Sequence, residues 1–284
     1  MEWKKIELED LKKIKRTIGR KFQTGDLSSI NLYMWRKAKK LEYFMDEEVL
    51  LIRGIEGDTP FIYPPISDNC RRLREEVLKH IERGYIIRAV PEEIYEILRD
   101  IVPLREERER FDYIYEVDKL ISLKGRKYHK KRNHLNKFIR SYDFTYEKID
   151  ETNIHEVIDF QKNWCEDKEC HLDKGLSWEM DGIIELLKNY HELDAVGGLL
   201  RIDGRVAAFT IGEELSPDTV LIHIEKGDIL YDGIYQGMNK FFLENEFSSY
   251  SYVNREEDLG QDNLRRAKES YHPCTLLTKY RSAP

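Results

Sequence analysis

Long apolar runs, disulfide-scale cysteine content and glycine-rich phosphate loops are all missing from this chain of 284 residues. No window comes near the roughly eighteen uninterrupted apolar residues of a membrane-spanning helix. Residues 1–20, MEWKKIELEDLKKIKRTIGR, are too charged for a secretory signal, so the cytoplasm is the expected location and no transmembrane segment is expected. Four cysteines, Cys70, Cys165, Cys170 and Cys274, are too few and scattered for a disulfide framework, and reduced thiols are expected. No P-loop, dinucleotide fingerprint or Ser-His-Asp order is present.

One further absence is local. Between Asp118 and Asp143 there is no carboxylate, while Lys119, Lys124, Arg126, Lys127, Lys130, Lys131, Arg132, Lys137 and Arg140 supply nine cations. Removing those nine from the 47 Lys and Arg leaves 38 against 54 acids, so the segment carries +9 inside a remainder of −16. A helix here would place Tyr128, Leu135, Phe138, Ile139 and Tyr142 on one stripe, with Lys127, Lys130, Lys131, Lys137 and Arg140 around the rest of the circumference. Two readings stay open. The surplus carboxylates elsewhere neutralise the block within the molecule, or the block binds phosphate or nucleic acid, where counterion release makes clustered cations effective.

What is present is ample: 40% hydrophobic and 11% aromatic residues can build real cores, and the 36% charged residues are interleaved with apolar ones. In the C-terminal half, Phe144 to Ile149 alternates as a strand, and Asn153 precedes the helical pattern Ile154, Val157, Ile158 and Phe160. A second helix is predicted from Ser177 to Tyr190. AVGGLLRI and RVAAFTIGEEL flank Asp203-Gly204, a hairpin turn that tolerates positive φ. Thr219 to Ile224 reads as a strand, Ile234 to Phe247 as an amphipathic helix, and Tyr250 to Val253 as a strand. Leu264 to Tyr271 follows as a helix, and CTLLTKY as one final strand.

The N-terminal half repeats the plan. It reads as strand WKKIEL, helices Leu11 to Phe22 and Ser28 to Trp35, hairpin LEYFMDEEVLLIRGI, strand Thr59 to Tyr63, helix Asn69 to Arg83, strand YIIRAV, helix Glu92 to Leu98 and strand Phe111 to Val117. The expected division is a domain over 1–117, a basic linker helix over 118–141 and a second domain over 142–284.

Several residues are candidates for chemistry. His223 and Glu225 lie two apart on a predicted strand and share a face, where a carboxylate can take a proton from an attacking amine or serve as an ordinary salt-bridge partner. The loop from Asn254 to Gly260 sits between strand and helix, where a scaffold presents functional side chains. Tyr271 packs or donates its hydroxyl. Cys165, Cys170 and His171 lack zinc spacing, and the charged interval between the cysteines reads as a solvated helix end, so no metal is expected.

Three stretches, KGRKYHKKRNHLNKF, LIHIEKGDILYDGIYQGMN and VNREEDLGQDNLRRAKESYHP, resemble proteins related to the C-terminal domain of lysylphosphatidylglycerol synthase. These are tandem GNAT-like acyltransferase domains, similar also to the Fem-type aminoacyl transferases. The resemblance implies an α/β (α+β) fold of duplicated acyl-CoA N-acyltransferase-like domains, with mixed sheets flanked by helices. It implies transfer of an acyl group, from aminoacyl-tRNA or acyl-CoA as donor, to an amine or hydroxyl acceptor. It further matches Lys268 to a lysine that helps hold the acyl group, where an ammonium stabilises the oxyanion of acyl transfer. Glu225 and Lys268 are thus the catalytic candidates, and Lys127, Lys130, Lys131, Arg132, Asn254 and Tyr271 the substrate- or phosphate-binding ones. The alternatives are a catalytically inactive GNAT scaffold with a binding or regulatory role, and an acyl-CoA N-acetyltransferase. Against the latter, the place of the conventional Gln/Arg-x-x-Gly-x-Gly/Ala pyrophosphate loop reads EKGDILYDGIYQGMN.

Overall fold

The computed structural model of the chain describes residues 2–19 and 22–283. Arg20 and Lys21, inside the helix expected over Leu11 to Phe22, lie outside the described residues. The chain forms two units, one of Met1–Asp112, Glu257–Asp262 and Leu276–Pro284, the other of Tyr113–Glu256 and Asn263–Thr275.

In chain order the elements are β1 (Lys4–Lys5), α1 (Leu8–Ile18), α2 (Ser29–Trp35), β2 (Glu42–Met45), β3 (Leu50–Glu56), β4 (Thr59–Ile62), α3 (Cys70–Ile81), β5 (Ile86–Ile87), β6 (Val90–Pro91), α4 (Glu92–Leu98), β7 (Leu104–Glu106) and β8 (Asp112–Glu116). Then come α5 (Val117–Ser122), α6 (His129–Ser141), β9 (Phe144–Lys148), α7 (Ile154–Asp167), α8 (Lys174–Lys188), β10 (Val196–Ile202), β11 (Arg205–Glu214), β12 (Thr219–Gly227), α9 (Ile234–Glu246), β13 (Tyr252–Asn254), α10 (Asp262–Glu269), β14 (Thr275–Leu277) and β15 (Lys279–Ser282).

The first unit's main sheet runs β1-β2-β3-β4-β5, antiparallel except for the parallel pair β4–β5. Leu50, Leu51, Ile52, Phe61 and Ile62 bury near-continuous apolar strands against α1 and α3, whose Leu11, Ile14, Leu73 and Val77 recur at helical spacing. A small sheet β6-β15-β7 completes it.

The second unit's sheet runs β14-β8-β13-β12-β11-β10-β9. The β10–β11 turn carries Asp203 and Gly204 at φ 49° and 76°, as the hairpin requires. Only β12–β13 is parallel among the registered pairs, and its pairing stops at Leu221↔Asn254, while β12 continues to Gly227. Beyond that point the two strands no longer share hydrogen bonds. His223 and Glu225 on β12, and Arg255 and Glu256 after β13, therefore face the opened end of the sheet.

Three features differ from the sequence expectations. First, the unit boundaries are not linear, because β8 pairs with β13 in the second unit's sheet and β15 pairs with β6 and β7 in the first. CTLLTKY is accordingly two strands, β14 and β15, broken at Thr278. The basic segment forms α5 and α6 as part of the second unit. Second, Cys165 and Cys170 are buried and joined by a disulfide, since the short turn after α7 brings their Cα atoms to 5.2 Å; the expectation of four reduced thiols and a solvated helix end is corrected. Third, on α6 Leu135 and Phe138 are buried but Ile139 is exposed, because the packed stripe is narrower than drawn. Among the described residues no helix is long and apolar enough to cross a membrane.

Close approach of α6 to α9 is set by glycine. Gly233 has φ 87° and a Cβ there would lie 2.4 Å from the His134 carbonyl oxygen, while one at Gly237 would lie 2.8 Å from the Phe138 ring. Gly233→Ala is expected to cost about 2 kcal/mol or more, combining positive-φ strain with overpacking. Gly204→Ala, at φ 76° with nothing within 4 Å, should cost only about 1 kcal/mol. Thermal unfolding of the two variants checks this, and equal losses would contradict the packing account.

Candidate functional site

At the opened end of the second sheet, Glu225 and Arg255 form an ion pair. Arg255 Nη2 donates to Glu225 Oε1 at 3.1 Å and Oε2 at 3.0 Å, with the Arg255 and Glu225 side chains only 13% and 15% exposed respectively. The guanidinium also lies 5.1 Å from the Tyr271 ring centre and 5.8 Å from that of Tyr115. From α6, the Lys131 ammonium sits 4.1 Å from the centre of the same Tyr271 ring. Two cations thus share one aromatic face environment, an attraction that strengthens on desolvation.

Lys268 of α10 holds the main chain beneath this cluster. Its ammonium donates to the carbonyls of Arg255 and Glu256, the latter at 3.3 Å, while the Tyr115 hydroxyl donates to the Lys268 carbonyl at 2.9 Å. Lys268 therefore acts on the backbone that carries Arg255. Glu225, Lys131, Lys268 and Tyr271, named from the sequence, are brought together around Arg255, which sequence reasoning missed. The signal for it was its position, the first residue after a parallel strand.

The electrostatics leave donors unspent. Burial, then the neighbouring Arg255, pulls Lys131 down to about 8, with Glu225 opposing. Burial pushes the Tyr271 hydroxyl up to about 12 against the pull of Arg255. Arg255 Nη1 is buried without a hydrogen-bond partner, and the Tyr271 hydroxyl is buried beside the Gln236 amide without closing a bond to it. Buried donors without a partner are uncommon in protein interiors, and two of them meet here at one ring.

The other candidates stand apart from this cluster. Asn254 is fully buried and its Oδ1 accepts from the Glu256 N–H at 2.7 Å, shaping the turn that delivers Arg255. Lys127 and Lys130 are exposed, and Arg132 donates to the carbonyls of Leu123 at 2.5 Å and Gly125 at 3.2 Å. Of the nine cations in the basic segment, Lys137 alone, with Asp232 at 2.6 Å, has a carboxylate within 4 Å among the described residues. Direct ion pairing within 4 Å thus accounts for one of the nine cations among the described residues.

His223 has a different role from Glu225. Its ring is buried, with Nδ1 3.0 Å from Glu256 Oε1 and Nε2 3.1 Å from Glu213 Oε1. Burial alone would lower its pKa, but hydrogen bonds to Glu213 and Glu256 outweigh that and raise it to about 9. A folded-state value above the unfolded one stabilises fully below about pH 6.5, and the contribution is lost as pH rises through about 9. Unfolding free energy measured by urea titration across that window is expected to fall more steeply for the natural chain than for His223→Gln, which is itself less stable at neutral pH; parallel curves would contradict the charged imidazole.

Comparison with known proteins places this geometry in a lineage. Residues 20–283 match the family described as phosphatidylglycerol lysyltransferase, C-terminal. A conserved protein of unknown function from Bacteroides thetaiotaomicron VPI-5482 is 31% identical, covers 99% of this chain and 98% of its own, and superposes with a TM-score of 0.90. L-PGS from Bacillus licheniformis is 14% identical over 98% of this chain and 92% of its own, with a TM-score of 0.68. A tandem GNAT protein from the clavulanic acid biosynthesis pathway, 8% identical over 100% and 99% of the two chains, superposes at 0.53. An uncharacterized protein of Mycoplasmoides gallisepticum (MYCGA3080) is 27% identical over 180 residues, 60% of this chain and 54% of that protein, so the match spans about half of that relative's length. The fold is of the tandem GNAT-like type, and the chain belongs to the family of the phosphatidylglycerol lysyltransferase C-terminal region.

Proposed function

We propose that the second unit is an acyl- or aminoacyl-group transferase whose site is Glu225, Arg255, Lys131 and Tyr271, with aminoacyl-tRNA as the donor. Family and fold support transferase-like chemistry. The observation that carries the reading is the pair of cations at Tyr271, one with a buried unpaired N–H and one lowered to about 8.

In this scheme an amine or hydroxyl acceptor attacks the acyl carbon and its proton passes to the Glu225 carboxylate. The carbonyl electron pair moves onto oxygen, where Arg255 Nη1 and the Lys131 ammonium donate to the oxyanion. Collapse breaks the bond to the donor's ribose oxygen, which takes that proton from Glu225 and restores the carboxylate. Donors already aimed at the developing charge need no reorganisation as the reaction proceeds. Lys268 is a positioning residue, acting through the Arg255 backbone. Lys127, Lys130 and Arg132, free of carboxylate partners, hold phosphates of the donor.

Transfer assays with a mixed pool of charged tRNAs and amine acceptors test this. Arg255→Met is expected to lower the rate on the order of 10²–10³-fold with tRNA binding retained. Absence of transfer by the natural chain, or an unimpaired Arg255→Met variant, would refute the reading. The protonated form of Lys131 is the active one, so the rate should fall as pH rises through about 8, and Lys131→Arg should move that fall upward. Substituting Lys130, Lys131 and Arg132 together by Ala should flatten the logarithmic salt dependence of tRNA binding by about 2 to 3. An unchanged slope would remove the segment from donor binding.

A further inference from the structure

The first unit carries its own cluster of charges, built on the same topological position. Arg88 is the first residue after β5, which pairs parallel with β4, as Arg255 is the first after β13, which pairs parallel with β12. Arg88 is 4% exposed and pairs with Glu56 at the end of β3. Arg110 reaches the other Glu56 oxygen at 3.3 Å and Glu257 at 3.2 Å. Lys279, 1% exposed, holds Asp26 at 2.5 Å, Asp112 at 2.7 Å and Glu257 at 3.8 Å. The carboxylates of the cluster are therefore spent on Arg88, Arg110 and Lys279.

Lys39 is left over. Its ammonium lies 5.1 Å from the Trp35 ring centre and, among the described residues, has no carboxylate within 4 Å. Tyr63 is 3% exposed and its hydroxyl makes no hydrogen bond to a described residue; its ring centre lies 5.2 Å from that of Phe61, over which the Arg88 guanidinium sits at 5.1 Å. Both face the same four charged groups, Arg88, Arg110, Glu56 and Asp26. A half-buried ammonium in the field of two guanidiniums is held there at a cost, and a single incoming negative charge lessens it.

We propose that the first unit contains a second ligand site, in which Lys39 and the Tyr63 hydroxyl bind a singly charged oxyanion in the field of Arg88 and Arg110. One negative charge matches the one unpaired cation, whereas a dianion would meet Glu56 and Asp26 unfavourably. A carboxylate or a phosphodiester of a substrate supplies this chemistry, and the site is independent of the reading given for the second unit. Burial, Arg88 and Arg110 together bring Lys39 to about 8, opposed by Glu56 and Asp26. Binding an anion favours the charged lysine, so affinity falls as pH rises above about 8.

Trp35 reports on the site directly. The full chain labelled with 5-fluorotryptophan, its Trp35 signal assigned through Trp35→Phe, is titrated with acetate and with dimethyl phosphate while fluorine NMR is recorded. Saturable movement of the Trp35 signal is expected with at least one probe. Acetate alone identifies a carboxylate ligand, dimethyl phosphate alone a phosphodiester, and both support the site. Lys39→Met should weaken binding about tenfold or more and Tyr63→Phe by several-fold, as expected for lost hydrogen bonds to a charged group. Arg255→Met should leave it unchanged, and binding at about pH 9.5 should be weaker than at about pH 7. Lack of saturation by either probe in the natural chain overturns the proposal, as does natural affinity in Tyr63→Phe together with no pH dependence.

Discussion

The Glu225–Arg255 ion pair is the constraint around which the second unit's site is organised. A buried guanidinium without its carboxylate would be strongly destabilising, on the order of 3–5 kcal/mol. The pair forms because β12 outruns its pairing with β13, so a residue late on one strand meets the first residue past the other. Everything else in the cluster attaches to this pair. Tyr271 and Tyr115 flank the guanidinium, Lys268 fixes its main chain, and Lys131 shares the Tyr271 ring. Glu225 occupies one nitrogen, and the other has no hydrogen-bond partner among the described residues, which is the basis of the chemical use proposed for the arrangement.

Repetition gives the first unit a comparable constellation. A lysine lacking a carboxylate, a buried tyrosine and an arginine already holding a glutamate appear around Arg88 as they do around Arg255. The equivalence comes from the parallel strand pair, whose end places an arginine at the same point of each sheet. The two clusters differ in how much counter-charge surrounds them: Asp26, Asp112 and Glu257 crowd the first around Lys279, while the second adjoins the helix of Lys130, Lys131 and Arg132, which have no carboxylate within 4 Å among the described residues.

Much of the fold was legible because its signals are local. Asp203-Gly204 demanded a hairpin, and the spacing of Met238, Phe242 and Leu243 demanded a helix. Partnering was not legible. CTLLTKY has one continuous strand pattern, yet Thr278 separates strands of two sheets, since periodicity records which face is buried and not against what. The Cys165–Cys170 disulfide depends on a turn that no residue pattern announced. Site residues show the same division. Glu225, Lys131, Lys268 and Tyr271 could be picked as residue types in suggestive places, but Arg255 read as one charge in a polar loop. The function of His223 lay in Glu213 and Glu256, 10 and 33 residues away. Its two carboxylates explain why so suggestive a histidine serves the fold.

The central claim is that Arg255 and Lys131 keep donors for an oxygen that the protein itself does not supply. Its most direct measurement is a crystal structure of the full chain with a stable amide analogue of the aminoacyl-adenosine end of charged tRNA. The account predicts the analogue's carbonyl oxygen within hydrogen-bonding distance of Arg255 Nη1, with the acyl carbon facing Glu225. An analogue bound away from Tyr271, or Arg255 Nη1 turned to a protein acceptor while the ligand is in place, would contradict it.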